Sequence, residues 1–287
     1  MKKIPIRQLN SPQQELPSPE RFTIRRVEDI LGENDLIHDL HRHDFYFILA
    51  LKKGKGNHEI DFTAYNVLDN SVFFLRPGQV HQLELKAGCT GYLLEFNTEF
   101  YHPQSRSTNQ RLKKVSNKNY CEMEAARYNK LDAILASMFH EYNAREEGYA
   151  DVIKSSLDIF FIEFIRQSSN PKGESTISNS YTQERFEDFL ELLDKHIVTL
   201  KQVSQYTELM NLSPYQLNEI TKSSIGKTAS ELINDQIILE AKRYLLATSN
   251  QVKDIADHLG YEDYSYFIRF YKKHTGYSPE AFRHNFR

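Results

Sequence analysis

The stretch VKDIADHLGYEDYSYFIRFYKKHTGYSPEAFRHNF, residues 252–286, decides the fold of the C-terminal part of the chain. Its first apolar side chains recur at helical spacing, at Val252, Ile255, Ala256 and Leu259. This period predicts a short amphipathic helix over residues 251–259. Gly260 follows at once, and glycine adopts the left-handed conformation that ends many helices at the lowest steric cost.

A second helix is predicted directly after the turn. Asp263 can cap its first turn, and the helix would run to about His274 and stop at Gly276. Two short helices joined by a tight turn after a glycine form a helix-turn-helix. The spacing predicts an inner face of Tyr266, Phe267, Phe270 and Tyr271, and an outer face of Tyr264, Ser265, Ile268, Arg269, Lys272 and Lys273.

The predicted outer face has the chemistry of a DNA-reading surface. Its hydroxyl and arginine suit base edges in a groove, and its lysines suit phosphates. The alternative on this pattern alone is a solvated helix of an ordinary helical domain.

The same stretch resembles the signature of the AraC/XylS transcription regulators. The residues that carry the resemblance are Ala256-Asp257-His258-Leu259-Gly260-Tyr261, Asp263, Ser265-Tyr266-Phe267, Arg269-Phe270, Lys272-Lys273, Gly276, Ser278-Pro279 and Phe282-Arg283. The resemblance extends back to about Tyr181 and more loosely over most of the chain. It implies a sequence-specific DNA-binding protein with two helix-turn-helix motifs and an effector-sensing domain.

The expected first helix-turn-helix spans residues 201–225. Ser213-Pro214 supplies a cap and a first-turn proline, Gly226 ends the second helix, and Leu212, Leu217, Ile220 and Ile225 are its predicted core side. A connecting helix over residues 228–247 would be roughly 30 Å long, which approaches the ~34 Å of one B-DNA turn. The two recognition helices could therefore enter successive major grooves.

The first recognition helix departs from the family pattern. The family usually carries Arg-x-Phe-Lys where this chain has Glu219-Ile220-Thr221-Lys222. Glu219 can accept from a cytosine amino group or repel phosphate. The candidate DNA-contacting residues of this helix are Tyr215, Gln216, Asn218, Glu219 and Lys222.

The N-terminal part of the chain has the pattern of a β-barrel. Short alternating or apolar runs predict strands over residues 45–51, 57–62, 72–75, 81–85 and 91–96. The order of residues 40–84 resembles the cupin-like sensor domain of AraC-type regulators. We expect a loose arm over residues 1–20, a cupin-like sensing and dimerisation domain over 21–166, a polar linker over 167–183 and the DNA-binding domain over 184–287. The expected fold class is therefore α+β multidomain, with a barrel that ends in a helical hairpin, followed by an all-α domain.

Histidines mark the predicted interior of the barrel. Strand alternation places His41 and His43 on one face with Phe45, Phe47 and Leu49, and His81 could complete a three-imidazole metal site. Catalytic cupins also have a glutamate where this chain has Phe47, which favours histidines that are structural or that hydrogen-bond a ligand. The resemblance to AraC-type regulators implies a small organic effector bound without a metal. The candidate ligand-binding residues are His41, His43, Tyr46, His58, Arg76 and His81.

Two long helices are predicted after a polar loop of residues 103–120. The first covers residues 122–142, and the second, residues 149–166, is apolar around most of its circumference. Packing within the chain is one explanation for that surface. The resemblance favours a homodimer contact, because helices at this position commonly form it in AraC-type proteins.

The bulk composition fits a soluble globular protein. The 287 residues are 40% hydrophobic and 26% charged, with a net charge of −3, two cysteines and no apolar run that would span a membrane. After Asp263 the basic residues outnumber the acidic ones by five to one, with Arg269, Lys272, Lys273, Arg283 and Arg287 against Glu280. The family resemblance implies a homodimeric transcription regulator without a cofactor, with DNA, a small-molecule effector and RNA polymerase as partners, and we expect it to be cytoplasmic. The alternative is a metal-dependent cupin enzyme with a regulatory helical domain.

Overall fold

The computed structural model describes residues 6–7, 21–103, 105–168 and 180–286. The chain divides into two compact units, which we call the barrel unit (Ile6–Gly173) and the helical unit (Glu174–Arg287). The predicted arm lies outside the described residues except for Ile6–Arg7, which form a short strand. Of the predicted linker, residues 169–179 lie outside the described residues, and its two ends are helical.

The described residues of the barrel unit form two five-stranded sheets. Sheet A has the spatial order β1 (Ile6–Arg7), β3 (Leu36–His43), β8 (Val80–Leu85), β5 (Gly56–Ile60) and β6 (Thr63–Val67). Sheet B has the order β10 (Tyr120–Glu122), β7 (Ser71–Leu75), β4 (Tyr46–Lys53), β9 (Thr90–Phe96) and β2 (Phe22–Arg26). Neighbouring strands are antiparallel except for β1, which is parallel to β3. The predicted cupin-like architecture is confirmed.

Sheet B is buried on both faces, and β4 shows why. Phe47, Leu49 and Leu51 point into the core between the two sheets. Ile48 and Ala50, the alternate residues, join a second core that sheet B forms with helices. Because both faces of β4 are covered, every side chain from residue 47 to residue 51 is buried. A strand of this kind has a continuous apolar sequence instead of an alternating one.

Helices cover the outer face of sheet B. The barrel unit contains α1 (Val27–Leu31), α2 (Arg106–Ser116), α3 (Ala125–Ala144) and α4 (Tyr149–Ser168). The last two form the predicted hairpin. The ring of Phe161 on α4 lies 6.0 Å from that of Phe74 and 6.4 Å from that of Phe96, both on sheet B. The sheet therefore covers much of the apolar surface of α4.

The predicted loop of residues 103–120 is wrong, because α2 lies within it. Ser105 caps this helix by accepting a hydrogen bond from the backbone N–H of Thr108 at 3.2 Å. Only Leu112 and Val115 are buried hydrophobic residues of α2. This stretch is rich in lysine and asparagine and poor in apolar residues, a composition typical of a surface loop, so the helix is hidden in the sequence.

The helical unit contains both predicted helix-turn-helix motifs. Its helices are α5 (Ser180–His196), α6 (Val203–Met210), α7 (Pro214–Ile225), α8 (Ala229–Ala247), α9 (Val252–His258), α10 (Tyr264–Thr275) and α11 (Pro279–Phe286). The pairs α6–α7 and α9–α10 are the two motifs, and α8 connects them. None of the described helices is both long and apolar enough to cross a membrane.

Candidate functional site

The turn between α9 and α10 is fixed by local chemistry. Gly260 has a φ of 72°, and a Cβ at this position would lie 2.6 Å from the backbone oxygen of Val198. Both the left-handed backbone and the close approach therefore require glycine. Asp263 caps α10, since its side chain accepts from the backbone N–H of Ser265 at 2.8 Å.

Helix α10 presents one face to the core and one to the surroundings. Phe267 and Tyr271 are fully buried, whereas Arg269, Lys272 and Lys273 are exposed. The other three residues of the predicted outer face are Tyr264, which is exposed, and Ser265 and Ile268, which are half-buried. The whole predicted outer face thus retains solvent access in the helical unit.

Tyr266 does not belong to the inner face, contrary to the prediction. Its side chain is 55% exposed and stacks on Tyr261 with ring centroids 6.1 Å apart. The buried stripe of α10 is narrow because it follows Phe267 and Tyr271, which are four residues apart. Tyr266 lies about 100° around the helix from Phe267 and leaves that stripe.

Arg269 and Arg283 have different roles, although both belong to the basic residues that follow Asp263 in the sequence. Arg269 is exposed and its guanidinium lies 3.8 Å from the Asp263 carboxylate, an exposed ion pair of little energetic weight. Arg283 donates to the backbone oxygens of Leu245 at 2.9 Å and of Asn250 at 2.6 Å. Arg283 therefore ties α11 to the α8–α9 connection.

The first recognition helix, α7, has fewer polar side chains available for DNA than α10 has, because two of its candidates make contacts within the protein. Gln216 forms a capping box with Ser213. Its side-chain oxygen accepts a hydrogen bond from the backbone N–H of Ser213 at 2.8 Å. The Asn218 side-chain oxygen accepts from the backbone N–H of Ala229 at 3.0 Å and so supports the start of α8. The other three candidates, Tyr215, Glu219 and Lys222, are exposed.

The predicted core side of α7 needs one correction. Leu217 and Ile220 are buried, but Ile225 is 48% exposed. Ile225 is the last residue of the helix before Gly226, which has a φ of 74°. The backbone turns away at this point, so the apolar period does not bring the last side chain to the core.

The barrel unit gathers four histidines through the register of sheet A. His41 lies directly opposite His81 across β3 and β8. His43 is two residues from His41 and faces the same way. His58 pairs with Leu83, two residues from His81, and so stands diagonal to His81. All four side chains are at most 5% exposed.

The histidine rings contact one another directly. Nε2 of His81 lies 2.7 Å from Nε2 of His43, and Nδ1 of His81 lies 2.9 Å from Nε2 of His58. His41 donates from Nδ1 to the backbone oxygen of Asp39 at 2.6 Å. One nitrogen from each of His41, His43 and His81 lies within 4.8 Å of the others.

Burial favours the neutral form of two of these histidines, His58 and His81. It is the main cause that lowers the pKa of His58 to about 3, with smaller contributions from the nearby His41 and His38 rings. Burial also holds the pKa of His81 well below its ordinary value, with smaller effects from neighbouring imidazoles. Neutral imidazoles present a lone pair, so these rings can accept a hydrogen bond from a ligand N–H or O–H, or bind a metal ion.

Two predicted ligand-binding residues lie away from the histidine cluster. Tyr46 points to the helix-covered face of sheet B, where its ring stacks on Phe96 at 5.1 Å. The sheet thus separates Tyr46 from the barrel core and from the histidines. Its role in ligand binding stays a prediction. Arg76 lies in the turn after β7 and its backbone N–H donates to Gln79 at 2.8 Å. No described contact joins Arg76 to the histidines.

Comparison with known proteins agrees with both units. Residues 206–285 match the helix-turn-helix domain family, and residues 31–157 match the family of AraC-like ligand binding domains. The chain belongs to the AraC family of transcriptional regulators. It is a DNA-binding transcriptional regulator with a ligand-binding N-terminal domain.

Relatives of this AraC-family regulator match along most of its length. The HTH-type transcriptional regulator YfiF of Bacillus subtilis is 22% identical over 252 residues, 85% of this chain and 78% of the relative. The transcriptional activator RhaS of Escherichia coli is 23% identical over 251 residues, 85% and 86% of the two chains. The crystal structure of ToxT from Vibrio cholerae is 14% identical and covers 92% of this chain and 97% of its own, with a TM-score of 0.41.

In this AraC-family regulator, the ligand-binding match includes all four clustered histidines. Sequence reasoning missed a fifth, His38, whose ring lies 5.8 Å from that of His41. A register shift between His38 and His41 breaks the alternation of β3. No period-two pattern can find a residue beyond such a shift.

Proposed function

We propose that this regulator reads its operator mainly through α10, and that an effector bound at the barrel histidines controls this reading. The observation that carries the proposal is the outer face of α10, on which Tyr264, Arg269, Lys272 and Lys273 are all exposed. Arginine recognises guanine in the major groove, and lysines hold phosphates.

Helix α7 contributes the second, weaker contact. Gln216 and Asn218 are held in hydrogen bonds at helix N-termini. The Glu219 carboxylate repels DNA phosphates, unless it accepts a hydrogen bond from the amino group of a cytosine. Helix α8 has 19 residues and is therefore roughly 28 Å long. Because about 34 Å separates successive major grooves on one face of B-DNA, a connecting helix of this length favours entry of α7 and α10 into adjacent grooves.

The proposal is tested by selecting DNA from a random pool with the full chain. We expect one recurrent sequence whose two conserved parts lie about one helical turn apart. A pool that shows no enriched sequence after repeated rounds would contradict the proposed reading.

We further propose that the chain forms a homodimer through α4. Sheet B and its neighbours bury five of its apolar side chains (Ile153, Leu157, Phe160, Phe161 and Phe164). Val152 and Ile159, seven residues apart on one face, remain 43% and 53% exposed. Neighbouring apolar side chains on a helix surface favour a partner of the same kind.

The variant Ile159→Asp is expected to convert the dimer into a monomer, because a carboxylate would lose its water in the contact. Light scattering at micromolar concentration measures the change. Ile37→Asp is the matched control, since Ile37 is 69% exposed on β3, away from α4. A wild-type chain that is already monomeric, or an Ile159→Asp chain that stays dimeric, would remove α4 from the interface.

The buried histidine triad favours one second candidate, a metal-dependent cupin enzyme. A bound metal is compatible with both functions, so the response of DNA affinity separates them. An effector metal changes DNA affinity, whereas a catalytic metal supports turnover and leaves DNA affinity unchanged. We favour a regulator without catalytic activity that acts in the cytoplasm and contacts RNA polymerase, because the relatives are transcriptional regulators.

A further inference from the structure

We propose that the barrel binds one divalent transition-metal ion of the zinc type through Nε2 of His41, His43 and His81. The inference has two parts. That the histidine cluster binds the metal depends only on the geometry of the cluster. That the metal is the effector of the regulator rests on the proposed function.

The spacing of the three nitrogens fits such an ion. One ring nitrogen from each of the three histidines lies within 4.8 Å of the others. Nε2 of His43 and Nε2 of His81 are 2.7 Å apart. A tetrahedral zinc ion with Zn–N distances of about 2.05 Å requires N···N distances of about 3.4 Å. The His43–His81 pair must therefore separate by about 0.7 Å, and no other pair needs to close by more than about 1.4 Å. Small ring rotations supply movements of this size.

Two of the three ligands are already oriented by hydrogen bonds on their other nitrogen. His41 donates from Nδ1 to the backbone oxygen of Asp39, which leaves Nε2 as the lone pair. His81 can donate from Nδ1 to Nε2 of His58, which leaves its own Nε2 for the metal. Metal-binding histidines usually have such an outer partner, which fixes the tautomer and the ring orientation. His58 is therefore a positioning residue.

The chemistry of the cluster selects the kind of metal. The candidate group consists of imidazoles alone, without a carboxylate. Imidazole nitrogen suits zinc, copper, iron and nickel, whereas magnesium and calcium prefer oxygen. Three protein ligands leave at least one coordination position open.

The histidine cluster lies in a packed core, at positions that apolar side chains usually fill. Phe47 stacks on His43 with ring centroids 5.4 Å apart, and Phe73 lies 4.7 Å from His58. Apolar side chains of similar size would fill this core without the cost of removing imidazoles from water. A ligand that needs several imidazoles accounts for that cost. The half-buried His38 beside His41 continues the row of rings toward the surface.

The test uses the full chain, freed of metal with a chelator and titrated with Zn²⁺ by calorimetry and with Co²⁺ by visible absorption. We expect one equivalent of each ion and the absorption of Co²⁺ in a tetrahedral site. The variants His43→Gln and His81→Gln should lose this equivalent. His58→Leu should bind about 10–100-fold more weakly, as expected for the loss of an outer partner. The control His140→Gln changes an exposed histidine on α3 and should bind like the wild type.

Two results would overturn the metal site. One is a wild-type chain that takes up no stoichiometric ion, and this result does not depend on whether any variant folds. The other is uptake that persists unchanged in His43→Gln and His81→Gln chains whose circular dichroism matches the wild type. The DNA affinity of the metal-free and metal-loaded chain, measured in parallel, tests the function separately. Failure to bind DNA in both forms would overturn the proposed function, while the titration alone decides the metal site.

Discussion

The helical unit alone, residues 174–287, is expected to bind a two-site operator about 100–10,000-fold more weakly than the full chain. In the proposed dimer, binding of one helical unit holds the second close to its own site. The second event is then intramolecular, with an effective concentration in the millimolar range for a short connection. The fragment loses this advantage but keeps every residue that we propose to contact DNA.

Fluorescence anisotropy at one fixed salt concentration measures the difference. DNA that carries a single site is the matched control, and fragment and full chain should bind it within a few-fold of each other. Equal affinity of the two proteins for the two-site DNA would exclude cooperation through the barrel unit.

The fragment should also be insensitive to the effector. A ligand shifts an equilibrium only if it binds the two states with different affinity. If the barrel is the sensor, the residues that make that distinction are absent from the fragment. An effector that changed the DNA affinity of the fragment as much as that of the full chain would place the sensing site in the helical unit.

Arg269→Ala is expected to weaken specific DNA binding by about 5–150-fold, which corresponds to about 1–3 kcal/mol. The guanidinium is exposed on α10 and has only an exposed carboxylate nearby, so its removal should not change the free energy of unfolding. Lys272→Ala should instead weaken binding to all sequences alike and reduce the salt slope by about one unit. Gel-shift titrations at several salt concentrations distinguish the two effects.

Arg283→Ala is the matched control for this prediction. Arg283 holds the backbone oxygens of Leu245 and Asn250, so its loss should lower the free energy of unfolding by about 1.5–3 kcal/mol. A denaturant titration measures this loss. If Arg269→Ala left operator affinity unchanged, or if it destabilised the fold as Arg283→Ala is expected to do, α10 would not dock as proposed.

The helical unit was readable from the sequence because its signals are local. The period of Val252, Ile255 and Ala256, the glycine after α9 and the aspartate before α10 all act within a few residues of one another. Local signals do not show contacts between residues that are far apart in the sequence. Arg269 and Arg283 look alike in the sequence, and only the fold shows that Arg283 binds backbone carbonyls 33 and 38 residues away.

The histidine cluster was only partly readable, because strand pairing assembles it. Alternation along β3 placed His41 and His43 together, but the contact between His58 and His81 depends on the register of β5 against β8. Alternation also separates Tyr46 from Phe47, and only the packing of helices on sheet B shows which of them faces the histidines. Such information is non-local, and no period along one strand contains it.

Methylation interference with the full chain on its selected DNA tests the central claim most directly, because guanine N7 faces the major groove. Within each site that one helical unit occupies, the account predicts interference at guanines in two adjacent major grooves on one face of the DNA. It also predicts that Arg269→Ala removes the interference in one of these grooves and leaves it in the other. Interference confined to a single groove, or a pattern that Arg269→Ala leaves unchanged, would contradict it.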